Sequence, residues 1–186
     1  TATNHEGSIF FEYNSRNQPV RIVYPNGNSF NYTYNDAGFL TERTENDGYK
    51  TIYFYDDSGN LIRVSDGTGS TTVSYVYDTA GKVTRKSVRN GAYTTYEYDS
   101  AGQILNLINC NKNGTVLSRF EYTYNEGGNP IEIDTGEGKY QYNYDSIGQL
   151  TSVNYPDGHS TQYLYDAAGN RLTSIDNSVT TSYTTN

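Results

Sequence analysis

Few residues in this chain have the chemistry to act on a substrate. It carries two histidines, His5 and His159, and a single cysteine, Cys110. Cys110 sits among amides in Asn109-Cys110-Asn111-Lys112-Asn113-Gly114, with no histidine nearby in sequence and no Gly-x-Cys-x-Gly context. An activated nucleophile needs an adjacent base, and the spacing supplies none. His159 follows an Asp157-Gly158 turn and reads as an exposed strand residue. Asp56, Asp78, Asp99, Asp145 and Asp166 resemble catalytic carboxylates, but each occupies the same place in a recurring phrase, which argues for a conformational job. Asp56-Asp57 is the only adjacent acidic pair. Turns rich in Asp, Asn and Gly offer hard oxygen ligands to calcium, yet neither the EF-hand spacing nor the nine-residue calcium β-helix repeat is present. Gly67-Thr68-Gly69 lacks the Gly-Lys-Ser/Thr that would complete a phosphate loop. The expectation is therefore no catalytic, cofactor-binding or metal residue, and no cofactor.

The phrase that holds those aspartates sets the architecture. It reads Tyr34-Asn35-Asp36-Ala37-Gly38, Tyr55-Asp56-Asp57-Ser58-Gly59, Tyr77-Asp78-Thr79-Ala80-Gly81 and Tyr98-Asp99-Ser100-Ala101-Gly102. It returns as Tyr144-Asp145-Ser146-Ile147-Gly148 and Tyr165-Asp166-Ala167-Ala168-Gly169. Two degenerate copies, Tyr13-Asn14-Ser15-Arg16-Asn17 and Tyr124-Asn125-Glu126-Gly127-Gly128, bring the number to eight. Tyrosine-to-tyrosine steps are 21, 21, 22, 21, 26, 20 and 21, the long one with its surplus at 109–114. Such regularity marks a repeat architecture.

Two residues before each phrase tyrosine stands another aromatic, Phe11, Tyr32, Tyr53, Tyr75, Tyr96, Tyr122, Tyr142 or Tyr163. Residues at i and i+2 share one face of a strand. The Asp/Asn-x-x-Gly that follows is a turn: the acid or amide bonds to backbone NH groups downstream, and glycine accepts positive φ. Asn17 is the best substitute where glycine is missing, because asparagine also visits that region. A short aliphatic segment and a second turn complete the unit: Asn26-Gly27, Asp47-Gly48, Asn90-Gly91, Asn113-Gly114 or Asp157-Gly158, with Asp66-Gly67-Thr68-Gly69 and Gly136-Glu137-Gly138 as looser versions. Each unit is thus two short antiparallel strands and two turns, and eight units predict roughly sixteen strands with almost no helix. The first apolar or proline residue after the phrase and a second three places on, as in Leu61 and Val64, cannot share one face of a regular strand. Packing of the first over the turn, or a bulge, would reconcile them. Stability must come from neighbouring units, since one hairpin is marginal in water. Tyrosine burial would supply most of it, with hydroxyl partners found among the many Thr, Asn and Ser.

Composition agrees. Only 34% of the chain is apolar, but 15% is aromatic, with 21 tyrosines among 186 residues, too many for a disordered chain. A net charge of -8 argues against a binder of nucleic acid, which needs a basic face. No run of 18 apolar residues predicts membrane insertion. Thr1 opens the chain without Met or a signal peptide, which fits a processed chain or an excised piece. Asn31-Tyr32-Thr33 and Asn113-Gly114-Thr115 match the glycosylation acceptor pattern, Asn31 within a strand and Asn113 in a turn.

The tyrosine-aspartate phrase, followed by x-x-Gly-x-Leu, a strand and an Asp-Gly turn, resembles the YD repeat of the Rhs family, over about residues 9–173. Relatives in that family include shell-forming subunits of bacterial toxin complexes, wall-associated polymorphic toxins and teneurins. The resemblance implies an all-β fold of tandem hairpins in a curved, twisted antiparallel ribbon, an open segment of a shell. It also implies a secreted or cell-surface location and, in the toxins, a parent that encloses a C-terminal toxic domain. The family's Asp-Pro-x-Gly boundary and its aspartyl autoprotease have no counterpart here; Tyr24-Pro25-Asn26-Gly27 and Tyr155-Pro156-Asp157-Gly158 are repeat turns. Asn177 to Tyr183 reads like a further repeat broken off, so residues 1–186 are expected to be a single repeat domain from a larger protein. The expected function is a non-enzymatic scaffold whose partners are neighbouring repeats of the parent, with self-association through edge strands or the tyrosine face. The alternative is a module that binds a carbohydrate or surface polymer through exposed tyrosines.

Overall fold

The computed structural model describes residues 2–4 and 7–184; His5 lies outside the described residues. Aromatic-x-Tyr segments are strands, Asp/Asn-to-Gly segments are turns, and there is no helix among the described residues. The strands fall into two compact units, Thr1–Ala92 and Tyr93–Asn186. The first contains β1 (Ala2–Asn4), β2 (Gly7–Tyr13), β3 (Pro19–Val23), β4 (Ser29–Tyr34), β5 (Leu40–Glu45), β6 (Lys50–Tyr55), β7 (Leu61–Asp66), β8 (Thr71–Tyr77) and β9 (Val83–Val88). The second contains β10 (Tyr93–Tyr98), β11 (Ile104–Cys110), β12 (Val116–Tyr124), β13 (Pro130–Asp134), β14 (Lys139–Tyr144), β15 (Leu150–Asn154), β16 (Ser160–Tyr165), β17 (Arg171–Asp176) and β18 (Val179–Ser182). Within each unit every strand pairs antiparallel with the next in sequence. The array exceeds the sixteen strands predicted because β1 and β18 flank the repeats.

A bulge in every repeat resolves the three-residue spacing. Tyr55 lies opposite Leu61 and Phe54 opposite Arg63, so Ile62 is the extra residue, and Tyr53 then faces Val64. Leu61 and Val64 therefore share the face of Tyr53 and Tyr55. The same register shift follows each phrase tyrosine. Where the extra residue is threonine, its hydroxyl donates across the strand: Thr41 to the Thr33 carbonyl at 3.1 Å, Thr84 to Val76 at 3.2 Å and Thr151 to Asn143 at 3.1 Å. In the last repeat Arg171 takes the aliphatic position opposite Tyr165, and Leu172 is the bulged residue.

The three departures from a 21-residue step are absorbed at the second turns. The 22-residue step carries an additional bulge at Thr72, between the pairs Val64–Val73 and Ser65–Thr71. The freed Thr72 carbonyl accepts the Arg89 backbone N–H at 3.0 Å. The 26-residue step lengthens the β11–β12 hairpin and gives it a bulge, at Leu117. The 20-residue step shortens the β13–β14 hairpin, which closes between Asp134 and Lys139.

Almost nothing is fully buried. Cys110 and Val153, each 6% exposed, are the only buried apolar residues among those described. Each unit therefore has no conventional core, and the phrase tyrosines of its sheet are half-buried, except Tyr13, which is exposed. Contact between neighbouring side chains on the sheet replaces packing between layers, at ~25 cal/mol per Å² of apolar surface removed from water.

Candidate functional site

The repeated motif is a set of turns that grip one another. Asp56 shows its first half. Its Oδ1 accepts from the backbone N–H of Ser58 at 3.0 Å and of Asn60 at 2.8 Å, and its Oδ2 accepts from the Asn60 side chain at 3.0 Å. Asp166 makes the same three bonds with Ala168 and Asn170. Donation to the charged form holds both carboxyls below the usual carboxylate range, led by the Asn side chain. These carboxylates are committed to turn geometry. Glycine closes the turn: Gly59 sits at φ +86, and Asn17 fills the glycine-less first copy at φ +59.

The residue after the glycine reaches into the next repeat. The Gln18 side-chain amide donates to the Gly38 carbonyl at 2.9 Å, and that of Gln103 donates to Gly128 at 3.0 Å. Phe39 does the equivalent with its ring, stacking on Tyr55 at 4.9 Å and lying where a Cβ on Gly59 would come within 2.7 Å of it.

Phrase tyrosines supply a second inter-repeat bond. The hydroxyls of Tyr34, Tyr55, Tyr77, Tyr124, Tyr144 and Tyr165 donate to the carbonyls of Pro19, Leu40, Leu61, Ile104, Pro130 and Leu150 at 2.7–2.9 Å. These are main-chain oxygens of the preceding repeat, not the Thr, Asn and Ser side chains expected from composition. The acceptor is the first residue after the turn, just before the bulge. Burial pushes the hydroxyls of Tyr34, Tyr55, Tyr77, Tyr124 and Tyr144 above the ordinary tyrosine value.

The other face carries charged pairs alongside exposed apolar residues such as Phe10, Val76 and Leu164. Cross-strand pairs join Glu12 to Arg21 at 3.3 Å, Glu42 to Lys50 at 2.8 Å and Glu132 to Lys139 at 2.6 Å, and Arg63 lies over the Phe54 ring at 3.8 Å. On the tyrosine side, Asp66 lies opposite Thr51 and pairs with Arg89. Its carboxylate accepts from the Thr68 hydroxyl at 2.6 Å and from the Arg89 guanidinium, which together hold it well below the usual range. The Asp66-Gly67-Thr68-Gly69 turn, looser in sequence, has the full carboxylate clamp, with Thr68 and Ser70 N–H groups on Oδ1 at 3.0 and 3.1 Å.

Among the described residues, those singled out for chemistry are not brought together. Cys110 ends β11, buried beside Tyr93 and Val116 in the pairing. His159 precedes β16 in the turn, half-buried rather than exposed. Its ring stacks on Tyr155 at 3.9 Å, and Nδ1 contacts Asp157. Asn31 lies in β4 and Asn113 in an exposed turn. Two grooves that sequence reading missed lie beside the short β13–β14 hairpin. One, of about 260 Å³, is bounded by Tyr140, Tyr155 and His159. The other, of about 460 Å³, is bounded by Leu117, Phe120 and Tyr140. Only the uneven step lengths, 26 followed by 20, could have signalled them.

Comparison with known proteins agrees with this geometry. Residues 69–185 match the family model described as Teneurin YD-shell, and residues 13–51 match RHS Repeat. No curated protein matches. Among solved structures, TcdB2-TccC3-TEV is similar at 18% identity and a TM-score of 0.79, over 91% of this chain and 11% of that one. The Tc holotoxin pore of Photorhabdus luminescens is similar at 20% identity and a TM-score of 0.70, over 83% and 9%. The chain thus spans about a tenth of the length of these structural relatives. With the family model matched over more than half its length and the inter-repeat grip seen in its structure, this chain belongs to the teneurin YD-shell family, built of Rhs repeats.

Proposed function

We propose that the chain is a non-enzymatic wall segment of a secreted or cell-surface YD-shell protein whose parent encloses a C-terminal toxin. In this role residues 1–186 serve as one repeat domain of a longer chain. The carrying observation is that the repeated chemistry is spent on the array itself: turn carboxylates bond their own loops, and six phrase-tyrosine hydroxyls bond the preceding repeat. That use also weighs against the tyrosine face as a glycan platform, because six of its phrase-tyrosine hydroxyls are already bonded and those six rings are half-buried.

A wall segment needs neighbours. β18 pairs with β17, and its residues Val179 to Ser182 are all exposed, an edge of the kind that recruits another strand. Sedimentation equilibrium over a wide concentration range should give a mass rising above 20.8 kDa. A monomer at every concentration, together with dose-dependent binding on a glycan array that is lost on Tyr49→Ala or Tyr24→Ala, would replace the scaffold with a carbohydrate-binding module.

A further inference from the structure

The uneven hairpins of the second unit leave a notch. β12 begins at Val116, but its pairing with β13 begins only at Glu121 opposite Asp134. The stretch from Val116 to Phe120 thus has β11 on one side and no strand on the other. Val116 and Leu117, 53% and 66% exposed, overhang the shortened β13–β14 turn. Tyr140 lines the grooves on both sides of that turn, and its ring meets Tyr155 edge-on at 5.8 Å. Glu137 and Asp157 stand exposed at the rim. Of the nearby cations, Arg119 itself lines the larger groove and pairs with Glu121 at 2.8 Å, and Lys139 pairs with Glu132 at 2.6 Å.

Charge is distributed unevenly along the chain. Residues 93–186 hold eleven acids against four Lys and Arg, a net of -7, whereas residues 1–92 hold ten against nine, a net of -1. The notch lies in the acidic unit. An open strand edge, aromatic rings beside it and carboxylates exposed at its rim, with Asp157 shared with His159, are the three elements that an extended cationic peptide needs. Main-chain bonds give it a place along the edge, and an ammonium or guanidinium gains from the face of a tyrosine and from nearby carboxylates.

We propose that the notch between Leu117, Tyr140 and Tyr155 docks an extended basic peptide, which adds as a short strand beside Val116–Phe120 and directs a Lys or Arg side chain toward Glu137 and Asp157. This inference does not depend on the scaffold reading. The test is fluorescence anisotropy with a labelled alternating lysine–valine peptide, a glutamate–valine counterpart and a neutral cello-oligosaccharide as competitor. The wild-type chain should bind the basic peptide alone, more weakly as salt rises. Glu137→Lys, at an exposed turn, should weaken binding by about tenfold because it sets like charges together. Glu126→Lys, an equal charge change at an exposed turn on the other end of the strands, should leave binding unchanged, and circular dichroism should show both variants folded. Equal losses from the two variants would reduce the effect to net charge and overturn the site. So would no binding of the basic peptide, or displacement of it by the oligosaccharide.

Discussion

At the scale of single residues, the YD phrase divides labour among three side chains and one absence of a side chain. The aspartate fixes its own turn, the tyrosine bonds the preceding repeat, and the residue after the glycine covers the next one. Glycine does two things that can be separated. Gly27, at φ +84, has nothing within 4 Å of where its Cβ would be, whereas Gly59, at φ +86, would place a Cβ 2.7 Å from the Phe39 ring. Gly27→Ala should therefore cost about 1 kcal/mol, the left-handed strain alone. Gly59→Ala should cost more in urea denaturation, because the clash with the Phe39 ring adds about 1–3 kcal/mol of overpacking to that strain. In a double-mutant cycle the excess at Gly59 should be relieved by Phe39→Ala. Equal costs at the two glycines would mean that contact with the preceding repeat contributes nothing.

Elements explain how unequal repeats coexist in a regular array. Each hairpin keeps its bulge after the phrase tyrosine, and length variation is confined to the second turns. The most constrained of these is the β7–β8 turn, where the Thr72 bulge is capped by Arg89 and Asp66 receives both Thr68 and Arg89. Because the folded Asp66 carboxyl lies below its ordinary value, the folded state binds fewer protons there than the unfolded chain. The stabilisation is present above the unfolded value of about 3.9 and is lost as pH falls below it. Asp56, Asp157 and Asp166 shift in the same direction. The urea midpoint should thus fall on acidification below about pH 4. Asp66→Asn should make that fall shallower, and an unchanged acid limb would exclude Asp66 from it.

Much at this scale was legible beforehand. Eight copies of the tyrosine phrase, the aromatic two places earlier and the paired turns gave the strands and their antiparallel succession, and the Leu61/Val64 spacing pointed to a bulge as one of two readings, with the register left to the structure. The tyrosine's acceptor was hidden because it is a main-chain oxygen, which every residue carries. The covering residue was hidden because Gln18, Phe39 and Gln103 reach the next repeat by different chemistry. The notch was hidden because it arises from the relative length of two hairpins, not from any motif.

For the whole molecule, the consequence is that stability belongs to the array. A sheet with only two buried apolar side chains among its described residues cannot rely on a core, and a repeat array distributes its stability over nearest-neighbour interfaces. Family membership fits this economy, since a wall extended by adding repeats needs each repeat to carry its own fastening to the one before. The central claim is that fastening, and native-state hydrogen exchange tests it. Tyr144→Phe removes the bond from the Tyr144 hydroxyl to the Pro130 carbonyl, worth about 1 kcal/mol. If repeats are fastened in series, amide exchange should rise roughly fivefold across β13, β14, β15 and β16 together. Faster exchange confined to the residues around Pro130 and Tyr144, with β15 and β16 unchanged, would contradict the account.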